Sequence, residues 1–223
     1  MAWGIYEEDF ADLTDWTDGD TGGAVSEISP AGQLHQVNTT SNVSARIYQT
    51  LGTGPGTGDY TFEVKFKFDT VPAAGGQPAH QIDIGGTTCC LRLQFYPASV
   101  KCYNNSAYVD IFEYTWVVDT WYVLRGIVHE SQTDIDAYLD GVSKATDFGC
   151  GWVNSNDGFL DISANYNGAI AGCEWHVDYI YIGAGQQVPS TTSIKKVAGV
   201  EHASIKKIGG VAIGSVKKIA GVE

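Results

Sequence analysis

Methionine occurs once in these 223 residues and proline six times, while aromatics reach 12% and glycine appears 27 times. That balance favours strands and turns over helices. No apolar run nears the ~20 residues that a membrane-crossing helix requires, so no membrane span is expected. No amphipathic helical period stands out before residue 188. Cysteine is present at 89, 90, 102, 150 and 173 but never as C-x-x-C, which removes the usual zinc spacing. Bases are scarce, 13 against 26 acids for a net charge of −13, and a body of that sign repels nucleic acid. The first ten residues, MAWGIYEEDF, lack the basic and apolar stretches of a secretory leader, so no signal peptide is expected.

What is present is one strand pattern after another. TFEVKFKFDT alternates cleanly, with Phe62, Val64, Phe66 and Phe68 on one face and Glu63, Lys65, Lys67 and Asp69 on the other. Such a period of two marks a half-buried strand with one wet face. LGTGPGTGDY and VPAAGGQPAH read as loops. QIDIG, CCLRLQFYPASVKCYNN, YVDIFEYTWVV, TWYVLRGIVHES, TDIDAYLDG, GFLDISAN and EWHVDYIYIG follow at a rhythm of roughly a dozen residues, that of a β-sandwich. Turns are expected at Gly85-Gly86, at Pro97-Ala98 and, as a tight hairpin, at Asp140-Gly141. The expected fold is all-β: two packed sheets, a jelly roll or related sandwich, over residues 1–188.

The paired segments WYVLRGIV (121–128) and IDAYLDG (135–141) resemble adjacent strands of laminin-G-like, concanavalin A-like jelly rolls. HVDYIYI (176–182) resembles their closing strand, and EDFADLTDW (8–16) their opening one. The resemblance covers roughly residues 3–185 and carries expectations about function. Glucanases of that fold use a strand motif E-x-D-x-x-E, which sets a nucleophile and an acid ~5 Å apart. The nearest approach here is Asp134, Asp136 and Asp140, with no final glutamate, so these acids read as a solvated strand face and no enzyme is expected. A lectin-like use needs exposed rings that stack on sugar, for which Trp116, Trp121, Trp152, Tyr103 and Tyr108 are the candidates. The resemblance also implies a structural calcium tying the opening segment to the closing strand. Its matching ligands are Asp9, or Glu8, and Asp178. No other cofactor is expected.

The five cysteines read as buried free thiols or, if a bridge forms, as Cys150–Cys173. Histidines 35, 80, 129, 176 and 202 show no ligand spacing. Asn38, Asn42 and Asn104 each open an N-x-[ST] sequon, a candidate glycosylation site in a surface loop.

Residues 189–223 are different in kind. The phrase S-[IV]-K-K-[VI]-[AG]-G-V starts at Ser193, Ser204 and Ser215, a repeat of eleven. Its apolar positions are Ile194, Val197 and Val200, then Ile205, Ile208 and Val211, then Val216, Ile219 and Val222. Its basic positions are Lys195 with Lys196, Lys206 with Lys207, and Lys217 with Lys218. Six lysines against Glu201 and Glu223 make the tail +4, which leaves the body at −17. Glycines at 199, 210 and 221 make a lone helix poor and favour extended pieces bent at those glycines. Extended, one unit spans at most ~36 Å, close to the roughly 40 Å diameter of a 185-residue domain. Such units either fold back on the chain's own body, stay a flexible basic tail, or add as strands to neighbouring subunits with lysines set against acidic walls, the reading taken here. Contacts of that kind propagate head to tail into rings or filaments. The repeat phrase resembles tails of bacteriophage and environmental structural proteins that carry laminin-G-like domains. The expectation from sequence is a non-enzymatic, self-assembling homo-oligomer, extracellular or virion-associated. A lectin-like carbohydrate-binding module with the tail as an anchor is the alternative.

Overall fold

A computed structural model of the chain describes residues 4–51, 58–70, 80–85, 90–104, 106–129, 133–150, 158–164, 171–185, 196–197, 200–201, 207–208 and 211–212. The chain divides into two units, Met1–Gln187 and Val188–Glu223. The described residues of the first unit hold fifteen strands and no helix. These begin with β1 (Gly4–Glu8), β2 (Thr17–Asp18), β3 (Val25–Ile28), β4 (Leu34–Val37) and β5 (Ala45–Thr50). The middle strands are β6 (Tyr60–Phe68), β7 (His80–Gly85), β8 (Cys90–Tyr96), β9 (Ser99–Tyr103) and β10 (Tyr108–Glu113). The last are β11 (Trp121–His129), β12 (Asp134–Leu139), β13 (Val142–Gly149), β14 (Phe159–Ala164) and β15 (Glu174–Ala184).

Eight of them form one antiparallel sheet in the order β13-β12-β11-β6-β15-β4-β3, with β1 also paired to β15. The other seven form a second sheet in the order β10-β9-β8-β7-β14-β5-β2. The inward faces of the two sheets meet in a single apolar core. The expected all-β sandwich is therefore what the chain folds into.

Local patterns explain the main elements. β6 puts Phe62, Val64, Phe66 and Phe68 into the core, all fully buried, as its alternation predicts. Its other face is less wet than expected. Arg125 pairs with Glu63, and Tyr179 donates to the same carboxylate, so Glu63 is itself buried. β11 and β12 pair as the sequence suggests, and the hairpin from β12 to β13 turns at Asp140-Gly141 with φ of 51° and 76°. The left-handed pair suits Asp-Gly, and Asp140 Oδ1 accepts the Val123 N–H at 2.8 Å. Gly126 faces the core opposite Phe62, and a Cβ there would stand 2.2 Å from the ring, which takes the space a side chain would fill.

Other expectations change. The opening strand is Gly4–Glu8, paired with β15, whereas residues 13–16 make a turn closed by Trp16 N–H on Leu13 O. Asp134 is buried rather than solvated, beside Cys150 and the edge of β13. Cys150 does not face Cys173. Its Sγ lies 3.3 Å from Cys102 Sγ, across from β9 of the other sheet, and Cys173 is buried separately. His80 is a core residue, stacked between Phe68 and Trp175 at 4.9 and 4.6 Å. Burial lowers its pKa to about 3, so it stays neutral.

In the second unit, Lys196–Val197 pairs antiparallel with Val200–Glu201, and Lys207–Ile208 with Val211–Ala212. Val197 pairs directly with Val200, and Ile208 with Val211. The third repeat, with Val216, Lys217, Lys218, Ile219 and Val222, lies outside the described residues, as do Ile194, Lys195, Ile205 and Lys206.

Candidate ligand-binding face

The outward face of the seven-stranded sheet is polar yet buried. Alternation sends His80, Ile82 and Ile84 of β7 into the core and turns Gln81 and Asp83 out. The same rule turns out Asp161 and Ser163 of β14, Arg92 and Gln94 of β8, and Arg46 and Tyr48 of β5. Side chains on an outer face ordinarily reach water, but Gln81, Asp83, Gln94, Asp161 and Ser163 are 0–3% exposed. Register places them side by side: Tyr48, Asp161, Asp83 and Arg92 lie in one cross-strand row, and Arg46, Ser163, Gln81, Gln94 and Lys101 in the next.

Hydrogen bonds knit the rows together. Arg92 Nε and Nη2 donate to both oxygens of Asp83 at 2.8–3.1 Å. Arg46 donates to Asp161 Oδ2 from Nε at 2.6 Å and stands over the Tyr48 ring at 4.9 Å. Gln81 Nε2 donates to Asp83, Gln94 Nε2 to Gln81 Oε1, and Tyr96 O–H to Gln94 Oε1. Lys101 lies over the Tyr96 ring at 4.6 Å, and Tyr103 packs against Tyr108 at the rim. Among the described residues, two buried atoms in this network have no hydrogen-bond partner, Asp161 Oδ1 and Ser163 Oγ. A buried acceptor left open costs about 1–3 kcal/mol.

Burial dominates the titration of the two acids. It pushes the Asp161 carboxyl up to about 6, against the opposing pull of Arg46 and with the help of the neighbouring Asp83 charge. Asp83 is also raised by burial, offset by Arg92. A carboxyl raised on folding binds its proton more tightly in the folded state, so its contribution favours folding below the unfolded pKa of 3.8 and is lost as pH rises to about 6. The contribution amounts to at most about 3 kcal/mol at 1.36 kcal/mol per unit. Denaturant titrations of wild type and Asp161→Asn across pH 4–7 are expected to diverge in slope over that window. Parallel curves would contradict it.

No protein-family model matches the sequence, and no curated protein matches it in sequence. Solved structures do match in shape. A sialidase superposes with a TM-score of 0.65 at 12% identity over 83% of this chain, which spans 19% of the sialidase. Domain 4 of AbnA, a GH43 extracellular arabinanase from Geobacillus stearothermophilus solved with arabinotriose, gives 0.57 at 14% identity over 83% of this chain and 94% of that one. The carbohydrate recognition domain of Emp46p gives 0.53 at 13% identity over 84% of this chain and all of that one. The body has the concanavalin A-like sandwich fold. Identity this low speaks for the fold alone.

The residues singled out from sequence distribute unevenly. Trp116 is a core ring, 4% exposed, with its indole N–H on Tyr96 O. Trp121 lies on the outer face of the eight-stranded sheet under Lys65, and Trp152 falls outside the described residues. Tyr103 and Tyr108 sit on the rim of the polar face. Asp178 pairs with Lys65 at 2.6 Å, Glu8 accepts from Tyr6, Phe10 and Trp16, and Asp9 is exposed. Asn38 is fully buried, its amide spent on Thr40 O and on the Cys173 N–H, so it is no glycan acceptor. Asn42 is exposed and Asn104 caps its own turn. Among the described residues the set able to hold a metal is His35, Asp69 and His176, which sequence spacing did not show.

Proposed function

We propose that the body binds carbohydrate on the outer face of the seven-stranded sheet. The observation that carries this is the partly exposed set of Arg46, Tyr48, Arg92, Tyr96, Lys101 and Tyr103 on that face, with Arg46 and Arg92 held in place by the buried Asp161 and Asp83 beneath them. Sugar hydroxyls both donate and accept, so planar carboxylates and amides suit them. Tyr48, Tyr96, Tyr103 and Tyr108 supply ring faces for stacking. The likeness in fold to a carbohydrate recognition domain and to an arabinanase domain solved with arabinotriose supports the reading. Binding without cleavage is part of the proposal. Asp83 and Asp161 face each other across neighbouring strands, but Arg92 holds both oxygens of Asp83, which makes it a poor nucleophile. Extracellular action belongs to the same reading.

Self-assembly through the tail is a second reading, supported by the repeat and by its charge, +4 against −17 for the body. The tail then adds multivalency to a weak glycan site.

A glycan array with the full chain, repeated with Asp161→Asn, Tyr48→Ala and a truncation after Pro189, tests both readings. We expect selective glycan binding that drops at least tenfold in the two point variants, survives truncation of the tail, and releases no sugar product. Absence of any bound glycan, or binding indifferent to Asp161 and Tyr48, discards the site. Light scattering on the truncated chain decides the tail, since unchanged assembly would remove it from the account.

A further inference from the structure

The opposite face of the sandwich carries a second cluster that sugar binding does not use. His35 of β4 stands directly opposite His176 of β15, and His176 directly opposite Lys67 of β6. The two imidazoles stack at 4.6 Å with 18° between their planes. Asp69, just beyond β6, completes the group: ligand atoms of His35, Asp69 and His176 all lie within 4.8 Å of one another. These side chains are 12–16% exposed, open enough for an ion to enter.

The contacts around them have the pattern of a metal's surroundings. Asp69 divides its oxygens, Oδ1 accepting from Lys67 Nζ at 2.6 Å and Oδ2 facing His176 Nδ1 at 2.5 Å. His35 Nδ1 faces Glu27 Oε1 at 3.2 Å, while Nε2 faces Glu174 Oε1 at 3.0 Å. Glu27 is thus placed to hold the His35 ring by its far nitrogen, as carboxylates behind metal-bound histidines do. Lys67 holds Asp69 in the same way. Three carboxylates face two imidazoles, with Lys67 the cation bound to Asp69. A divalent ion among His35 Nε2, His176 Nδ1 and Asp69 Oδ2 replaces the protons those pairs share and neutralises excess acid.

We propose that His35, Asp69 and His176, with Glu174 as a fourth donor, form a binding site for a borderline transition-metal dication of the Zn2+, Co2+ or Ni2+ class. Imidazole donors select that class, whereas Ca2+ and Mg2+ require oxygen shells that this set does not supply. Tetrahedral Zn2+ holds its donors at about 2.0–2.2 Å, so side-chain rotation must draw the three atoms inward on binding. The ion would join β4, β15 and the end of β6, three neighbouring segments of the eight-stranded sheet.

The test uses the untagged full chain stripped with EDTA. Calorimetry with Zn2+ is expected to show one ion per chain, unaffected by millimolar Ca2+, and Co2+ is expected to develop visible d–d absorption. His35→Gln and His176→Ala should weaken binding by more than about 100-fold, and Glu27→Gln by about 10–100-fold. His129→Ala and His202→Ala should leave it unchanged. Asp69→Asn serves as an independent ligand variant if a histidine variant fails to fold by circular dichroism. Absence of saturable one-to-one binding by wild type, or full binding by folded His35→Gln, overturns the site. Loss of glycan binding in the polar-face variants leaves this result untouched, because the two faces belong to different sheets.

Discussion

Oxidation of Cys102 and Cys150 to a disulfide is expected to stabilise the body by about 4 kcal/mol, the chain-entropy value for closing a loop of this length. The two sulfurs are 3.3 Å apart and 48 residues apart in sequence. Each thiol gives up its proton, and the pair passes two electrons to an oxidant such as oxidised glutathione. Closing to a bond of about 2.05 Å needs a movement of just over 1 Å. Cys102 belongs to β9 of one sheet and Cys150 follows β13 of the other, so the bond would staple the two sheets near one edge. Intact mass falling by two protons, with a higher guanidinium midpoint than Cys102→Ala under the same oxidant, is the expected result. A midpoint that ignores oxidation, or a bridge mapped to Cys150–Cys173, contradicts it.

Trp175→Ala is expected to cost about 3–5 kcal/mol, the usual range for emptying a buried aromatic site. A typical domain has only 5–15 kcal/mol in total, so the variant should be near its unfolding threshold. Trp175 is fully buried and packs on His80, Phe68 and Phe95 at 4.6, 6.2 and 5.8 Å. It also fixes a polar bridge. Its indole N–H donates to Gln36 Oε1 at 2.8 Å, and Gln36 Nε2 donates to Ile162 O of the facing sheet at 3.0 Å. Trp175→Phe keeps most of the ring and strands the Gln36 oxygen, which should cost about 1–3 kcal/mol. Equal losses in the two variants, measured by urea titration, would show that the bridge and not the ring is what matters.

These effects mark where sequence patterns suffice and where they do not. The alternation of β6, the Asp140-Gly141 turn and the pairing of β11 with β12 are local, and each is visible in a window of ten residues. The polar face is not. In QIDIG and LDISA the polar residues look like ordinary solvent-facing positions, and only the order β8-β7-β14-β5 sets Asp83 beside Asp161, 78 positions along the chain. The same holds for His35 and His176, which look unrelated until β4 docks on β15. Asn38 misleads in the opposite sense. Its sequon belongs to a loop by composition, yet the amide is buried to close the turn before Cys173.

The place of β15 carries a consequence for synthesis on the ribosome. This strand is the last of the body to be made, yet it lies between β6 and β4 and also pairs with β1. At about 5–20 residues per second, the 150 residues separating Leu34 from Ala184 take roughly 8–30 s to emerge. Until β15 emerges, the edge of β4, and from its own synthesis that of β6, lacks the partner it has in the finished sheet. The nascent chain is therefore exposed to mispairing at the strands that later flank its last one, and a chaperone that shields Tyr60–Phe68 would protect one of those edges.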